Sequence, residues 1–199
     1  MRRSFSLSFA SLLVLPALVS CGGDSVPTTA PEAAKDPAAI LGHLQYAAVR
    51  KDFKALPLIA PITPNVVFPG AMNLHNAAKQ LGVTLAADEL AGLGVDAALA
   101  AKFDSLPGSE VDGYGSKEAR LAYNAGIYRT LKALTPKTWG KMTHMGIKDE
   151  VNLGIAVKQM ALGFDGKAVM TVSCLKMPNG NWGISFIRYE VAPKNLKQD

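Results

Sequence analysis

The sequence predicts an α+β fold, with N-terminal helices packed on one face of a C-terminal antiparallel sheet of three or four strands. Three observations predict it. Apolar residues recur at three- and four-residue steps from Ile40 to about Met142. Over the last fifty residues the pattern changes to β-rich runs. Those runs are separated by Asp165-Gly166 and Asn179-Gly180, the strongest short hairpin signals because both residues of each pair tolerate positive φ.

The first helix is expected to start at Asp36, a good N-cap followed by Pro37, which suits a first helical turn. Ile40, Leu41, Leu44, Ala47, Ala48 and Phe53 carry its apolar face to about Lys54. Pro57–Pro69 is rich in proline and is expected to be extended or looped. Short helices are predicted over Met72–Leu81, from a Thr84 cap through Leu90, and over Ala97–Phe103 behind an Asp96 cap. Ser116 caps the longest, Lys117–Leu134, with Leu121, Ala125, Tyr128 and Leu131 in register. Thr135-Pro136 restarts a short helix carrying Trp139 and Met142.

The strands are expected at Val151–Leu162, Lys167–Lys176 and Asn181–Val191. In the last, Trp182, Ile184 and Phe186 share one face while Ile187, Tyr189 and Val191 share the other. That slip of phase at Phe186–Ile187 predicts a bulge or a strand buried on both faces. The order of elements, with the ending Asn179-Gly180-Asn181-Trp182-Gly183-Ile184-Ser185-Phe186, resembles the cystatin-like and NTF2-like cone proteins. The resemblance covers the first helix and roughly the final third of the chain, and it implies a cavity between the helices and the concave face of the sheet. The middle of the chain departs from it, carrying more helix than a minimal cone.

The N-terminus reads differently. Arg2 and Arg3 precede an apolar run from Phe5 to Leu18 that is broken by serines and Pro16. This is the charged start and short greasy core of a secretory signal, too short to be a span of about 20 apolar residues. It ends in Leu18-Val19-Ser20-Cys21, which resembles the lipobox of bacterial lipoproteins at all four positions. The resemblance covers only the first two dozen residues. It implies cleavage after residue 20, a diacylglycerol thioether on the Cys21 sulfur, and a membrane-anchored product. Gly22 follows the cysteine where an aspartate would imply inner-membrane retention, so in a host with two membranes the expected place is the outer one, facing the periplasm. The expected organisation is a signal peptide over 1–20, a flexible tether over 21–36, a single α+β domain over 37–193 and a tail over 194–199.

Charge argues against a nucleic-acid partner. The chain has a formal net charge of +5, and removing Arg2 and Arg3 with the signal leaves two fewer positive charges, +3, spread thinly and without arginine–aromatic runs. With Cys21 acylated, Cys174 is a lone thiol in mid-strand, expected to behave as a small apolar side chain.

His43, His75 and His144 are isolated, with no HExxH, no CxxC and no ligand-spaced cluster, and each is read as a surface or capped histidine rather than a metal ligand. Gly108, Gly113, Gly115 and Lys117 fall short of a phosphate loop because Ser116 precedes the lysine. Tyr123 and Tyr128 suit core packing. No cofactor is expected. No catalytic residue is assigned, and the leading expectation is a non-catalytic domain that binds a partner protein or a small apolar ligand. A cofactor-independent enzyme with a cone cavity is the alternative, for which Tyr46, Asp52, Gln159 and Thr171 are the only candidates to converge. A structural role in envelope assembly is the third reading, requiring a flat exposed patch around Trp139, Met142 and Met145.

Overall fold

The computed structural model describes residues 26–57, 78, 80–92, 98, 116–152 and 154–196. The expected signal segment, Cys21, the proline-rich stretch beyond Pro57, His75, most of the helices expected over 72–81 and 97–103, and the glycines over 108–115 lie outside the described residues. The fold is α+β: helices lie against one face of a four-stranded antiparallel sheet.

Asp36 caps the first element as its pattern implies, its carboxylate accepting from the Ala38 N–H at 2.7 Å. Pro37–Ala39 forms one 3-10 turn that leads into α1, Ile40–Arg50. The helix ends earlier than the expected Lys54. Lys51 adopts left-handed φ of 57°, which stops the ladder, and Phe53–Ala55 forms a separate 3-10 turn. Helix α2, Ala87–Gly92, is capped by a different residue from the one expected. Thr84 lies too far upstream, and Glu89 instead reaches back to accept the Ala86 N–H at 2.7 Å. The long helix α3, Ser116–Lys132, is followed by α4, Pro136–Gly140, whose Thr135 cap accepts from the Thr138 N–H as its sequence implies.

The strands are β1 Thr143–Asn152, β2 Ile155–Phe164, β3 Lys167–Lys176 and β4 Trp182–Tyr189, paired in sequence order. Four strands replace the three read most directly from sequence. The first expected strand, Val151–Leu162, straddles a turn at Gly154, whose φ of 80° reverses the chain. The signal was weak because β1 alternates poorly and carries Lys148-Asp149-Glu150. Both expected hairpins are present. Asp165 and Gly166 both take positive φ, the pattern of a two-residue primed turn. At the other, Gly180 N–H donates to Met177 O and only Gly180 is left-handed, so a type I-like turn with a glycine bulge closes the loop.

The phase slip in β4 is a bulge. Ser173 faces Phe186 while Cys174 faces Ile184, leaving Ser185 extra, so Ile184 and Ile187 both reach the core face. That face meets Ile40 and Leu44 of α1, Ile127 and Leu131 of α3, and Trp139 of α4. Trp139 donates its indole N–H to Leu131 O at 2.8 Å, and buried Gln45 donates to Trp139 O and Met142 O, both at 3.1 Å. These bonds bring side-chain donors to carbonyls near helix ends, where Leu131 O and Trp139 O also accept the Leu134 and Met142 N–H groups. The exposed patch expected around Trp139, Met142 and Met145 is therefore absent in that form: Trp139 and Met142 are fully buried.

The segment over 26–36, expected as tether, has no helix or strand before its 3-10 turn but lies on the domain. Ala34 is buried and its carbonyl accepts the Trp182 N–H at 2.7 Å. A side chain on Gly42 would meet Pro27, and one on Gly140 would meet Val26, at 3.6 and 3.5 Å. Packed chain thus begins before residue 37. Main-chain hydrogen bonding explains why apolar content alone did not reveal it: Ala34 O and Pro57 O take the Trp182 and Ile184 N–H groups and cover part of the β4 edge.

Candidate functional site

The candidate site lies on the side of α3 that faces away from the sheet. Ile127 and Leu131 commit the helix to the core, and Tyr128 then points toward the 3-10 turn and α2. Its ring packs on Phe53 with centroids 3.5 Å apart and planes inclined at 56°. Its hydroxyl donates to Glu89 Oε1 at 2.9 Å. Lys132, one turn further on, donates to Glu89 Oε2 at 2.7 Å and to Thr84 O at 3.1 Å.

Two adjoining clefts share Lys51, Phe53, Glu89 and Tyr128. One, of about 310 Å³, runs over Ala48 and Leu131 to Pro136. The other, of about 480 Å³, is bounded by Asp52, Lys54 and Asp88. Both volumes fall in the range of small-molecule sites, roughly 300–1,000 Å³.

The electrostatics favour holding a ligand over transferring a proton. Burial pushes the Glu89 carboxyl upward, but hydrogen bonds from Lys132, the Ala86 N–H and Tyr128 outweigh it and hold the pKa below the usual carboxylate range. Glu89 is thus an anion whose two oxygens are already engaged. Burial first, and then the Glu89 carboxylate, push the Tyr128 hydroxyl up, so it remains a neutral donor. Replacing Tyr128 by Phe is expected to cost about 1 kcal/mol, the value of one hydrogen bond to a partly exposed carboxylate. The same change should raise the pKa of Glu89. Because that pKa is depressed in the fold, the associated stability is present above the unfolded carboxylate value and is lost as pH falls through the folded one. In Tyr128→Phe this acid loss should be smaller and complete at higher pH, as read from urea midpoints between pH 7 and 3.

The residues singled out in the sequence do not converge. Tyr46 is half-buried on α1 and Asp52 borders the second cleft. Gln159 and Thr171 lie across the sheet on its other face, alternating with core-facing Met160 and Met170, and Thr171 donates to Glu190 at 2.7 Å. Cys174 is buried in the core and burial alone pushes its thiol up to about 12, so it has the inert character expected of it.

His43 departs from the surface reading: it is buried, with Nδ1 3.0 Å from Ala55 O, tying α1 to the 3-10 turn. His144 is exposed on β1. Among the described residues no group of three His, Cys, Asp or Glu side chains gathers as a metal site, and no helix is long and apolar enough to cross a membrane. Glu89 and Lys132 were not marked by sequence reasoning, and Phe53 was marked only as part of the first helix's apolar face. The available signal was the spacing of Ala86 and Glu89, a reach-back cap whose first position lacks the usual hydroxyl.

Compared with protein-family models, curated protein sequences and solved structures, the chain matches none.

Proposed function

We propose that this is a lipid-anchored protein of the bacterial cell envelope, attached through Cys21, whose domain binds a small, largely apolar ligand with an anionic end. The observation that carries the binding half is the aromatic pair Phe53–Tyr128 beside the cleft that Lys51 and Lys132 also line. Aromatic and aliphatic walls favour an apolar body, and ammonium groups favour a negative head. Glu89 holds the wall together rather than meeting the ligand, because its oxygens are spent on Tyr128, Lys132 and the α2 cap. The anchor half rests on Leu18-Val19-Ser20-Cys21 behind its basic and apolar leader. Two acyl chains suffice for stable attachment, since each buried CH₂ contributes about 0.8 kcal/mol.

For the anchor, cells are labelled with a radioactive fatty acid. Wild type is expected to take up label and fractionate with membranes, and Cys21→Ala to do neither. Equal labelling of the two proteins contradicts the anchor. For the cleft, the full chain is titrated with anilinonaphthalene sulfonate, an apolar aromatic anion. Phe53→Ala and Lys51→Glu are expected to weaken binding at least tenfold while circular dichroism stays native. Unchanged affinity in both variants removes the cleft from consideration.

A further inference from the structure

We propose that β1 is a self-association edge: β1 of one copy pairs antiparallel with β1 of a second copy about Asp149, joining the two sheets into one. This inference does not depend on the anchor or on the cleft. Among the described residues β1 pairs only with β2, so its other edge presents a row of unpaired backbone donors and acceptors. The opposite edge of the sheet, β4, is partly covered by Ala34 and Pro57. Among the described residues, the large hydrophobic side chains that are exposed are Met145, Ile147 and Val151, at 47%, 38% and 71%, and all three lie on β1. A bulge at Met145 interrupts the start of the strand, whereas Gly146–Asn152 runs in unbroken register with β2 and is free to pair again.

The pleat and the charges together select one register. Two copies of an edge strand that continue one sheet are related by a two-fold axis perpendicular to it. That axis keeps each side chain on its own face, so it passes through a residue rather than between two. Centred on Lys148, the pairing sets lysine against lysine and Ile147 against Asp149; centred on Glu150, it sets carboxylate against carboxylate and Asp149 against Val151. Centred on Asp149, it sets Ile147 against the second copy's Val151 on the helix-bearing face. On the other face it sets Lys148 against the second copy's Glu150, and each match occurs twice.

The two Asp149 side chains meet at the axis, but each is already ion-paired across the hairpin to Lys158 of its own chain. Glu150 is also under-satisfied within one copy. Its Oε2 is shielded from solvent without a hydrogen bond, and Lys148 of the same strand stands 3.9 Å away, beyond a charge-assisted bond. Opposite-charge and apolar cross-strand pairs are the side-chain contacts that stabilise antiparallel sheets.

The test uses the full chain in the cells that make it. Residues directly opposite in an antiparallel pair have Cα atoms about 4.5–5.5 Å apart, within disulfide range. Asp149→Cys is therefore expected to form a covalent dimer on treatment with copper phenanthroline, at least fivefold above Lys141→Cys. Lys141 is exposed and lies before β1, and both proteins contain the same Cys21 and buried Cys174, so those thiols cancel in the comparison.

In the Asp149→Cys background, Lys148→Glu should abolish the cross-link, and combining it with Glu150→Lys should restore it. Restoration separates a broken interface from a broken fold. Cross-linking no greater than that of Lys141→Cys overturns the proposal. So does a cross-link that Lys148→Glu leaves intact, a double reversal that does not recover it, or cross-linking to a different protein.

Discussion

Replacing Trp139 by alanine is expected to destabilise the domain by about 3–5 kcal/mol, the range for deleting a buried aromatic side chain. Trp139 is fully buried between α1, α3 and the sheet. Its loss opens a void against which Ile40, Leu44 and Leu131 relax only in part, and it removes the donor to Leu131 O. A domain of this size has roughly 5–15 kcal/mol in total, so the variant stands near the edge of folding. At about 2–4 °C per kcal/mol, the melting temperature should fall by roughly 6–20 °C. Trp139→Phe keeps most of the apolar area but leaves Leu131 O only the 3.4 Å bond from the Leu134 N–H, which is expected to cost about 1 kcal/mol. Urea unfolding of both variants checks the ranking. A loss below about 1 kcal/mol for Trp139→Ala contradicts the account of the core.

Raising the pH is expected to weaken the fold from about pH 9 upward, with Cys174 the first group responsible. Burial pushes its thiol up to about 12, whereas the ordinary value is 9.0. Below pH 9 both folded and unfolded chains hold the proton, and the contribution is fully present. Above it the unfolded chain ionises while the folded one does not, so stability is lost as pH climbs toward the folded value. At about 1.4 kcal/mol per pH unit, Cys174 alone accounts for roughly 2 kcal/mol by pH 10.5. Tyr123 and Tyr189 add to the slope beyond pH 10, since burial raises both phenols; their hydroxyls donate to Ile184 O and Thr130 O. Urea midpoints measured from pH 8 to 10.5 should decline steadily in wild type and less steeply in Cys174→Ala. A flat profile in wild type refutes the assignment.

Local chemistry made much of this fold legible. Asp36 with Pro37, Thr135 with Pro136, and the Asp165-Gly166 and Asn179-Gly180 turns each state their structure within a few residues. The slip at Phe186–Ile187 announced either a bulge or a doubly buried strand, and the structure places a bulge at Ser185. What escaped was non-local. β1 is a strand because β2 lies beside it, and its own charged stretch does not alternate. The cleft was equally hidden, because Phe53, Glu89 and Tyr128 are far apart in sequence and meet only through the packing of α1 and α3. A histidine such as His43 gives no local sign of whether it is buried, since Ala55 is brought to it by the 3-10 turn.

The early docking of Val26 and Pro27 beside Gly140 and Gly42 also determines how the molecule would stand on a bilayer. With fatty chains on Cys21, only the five residues 21–25 separate lipid from folded body. At no more than about 3.6 Å each, they reach roughly 18 Å, less than the thickness of the hydrocarbon layer. On the proposed anchor, so short a leash would keep the α1–α4 shoulder turned toward the headgroups and suppress tumbling. Neighbouring molecules so anchored would drift in a plane with a shared upright axis, an arrangement in which weak lateral contacts meet far more often than they would in bulk water.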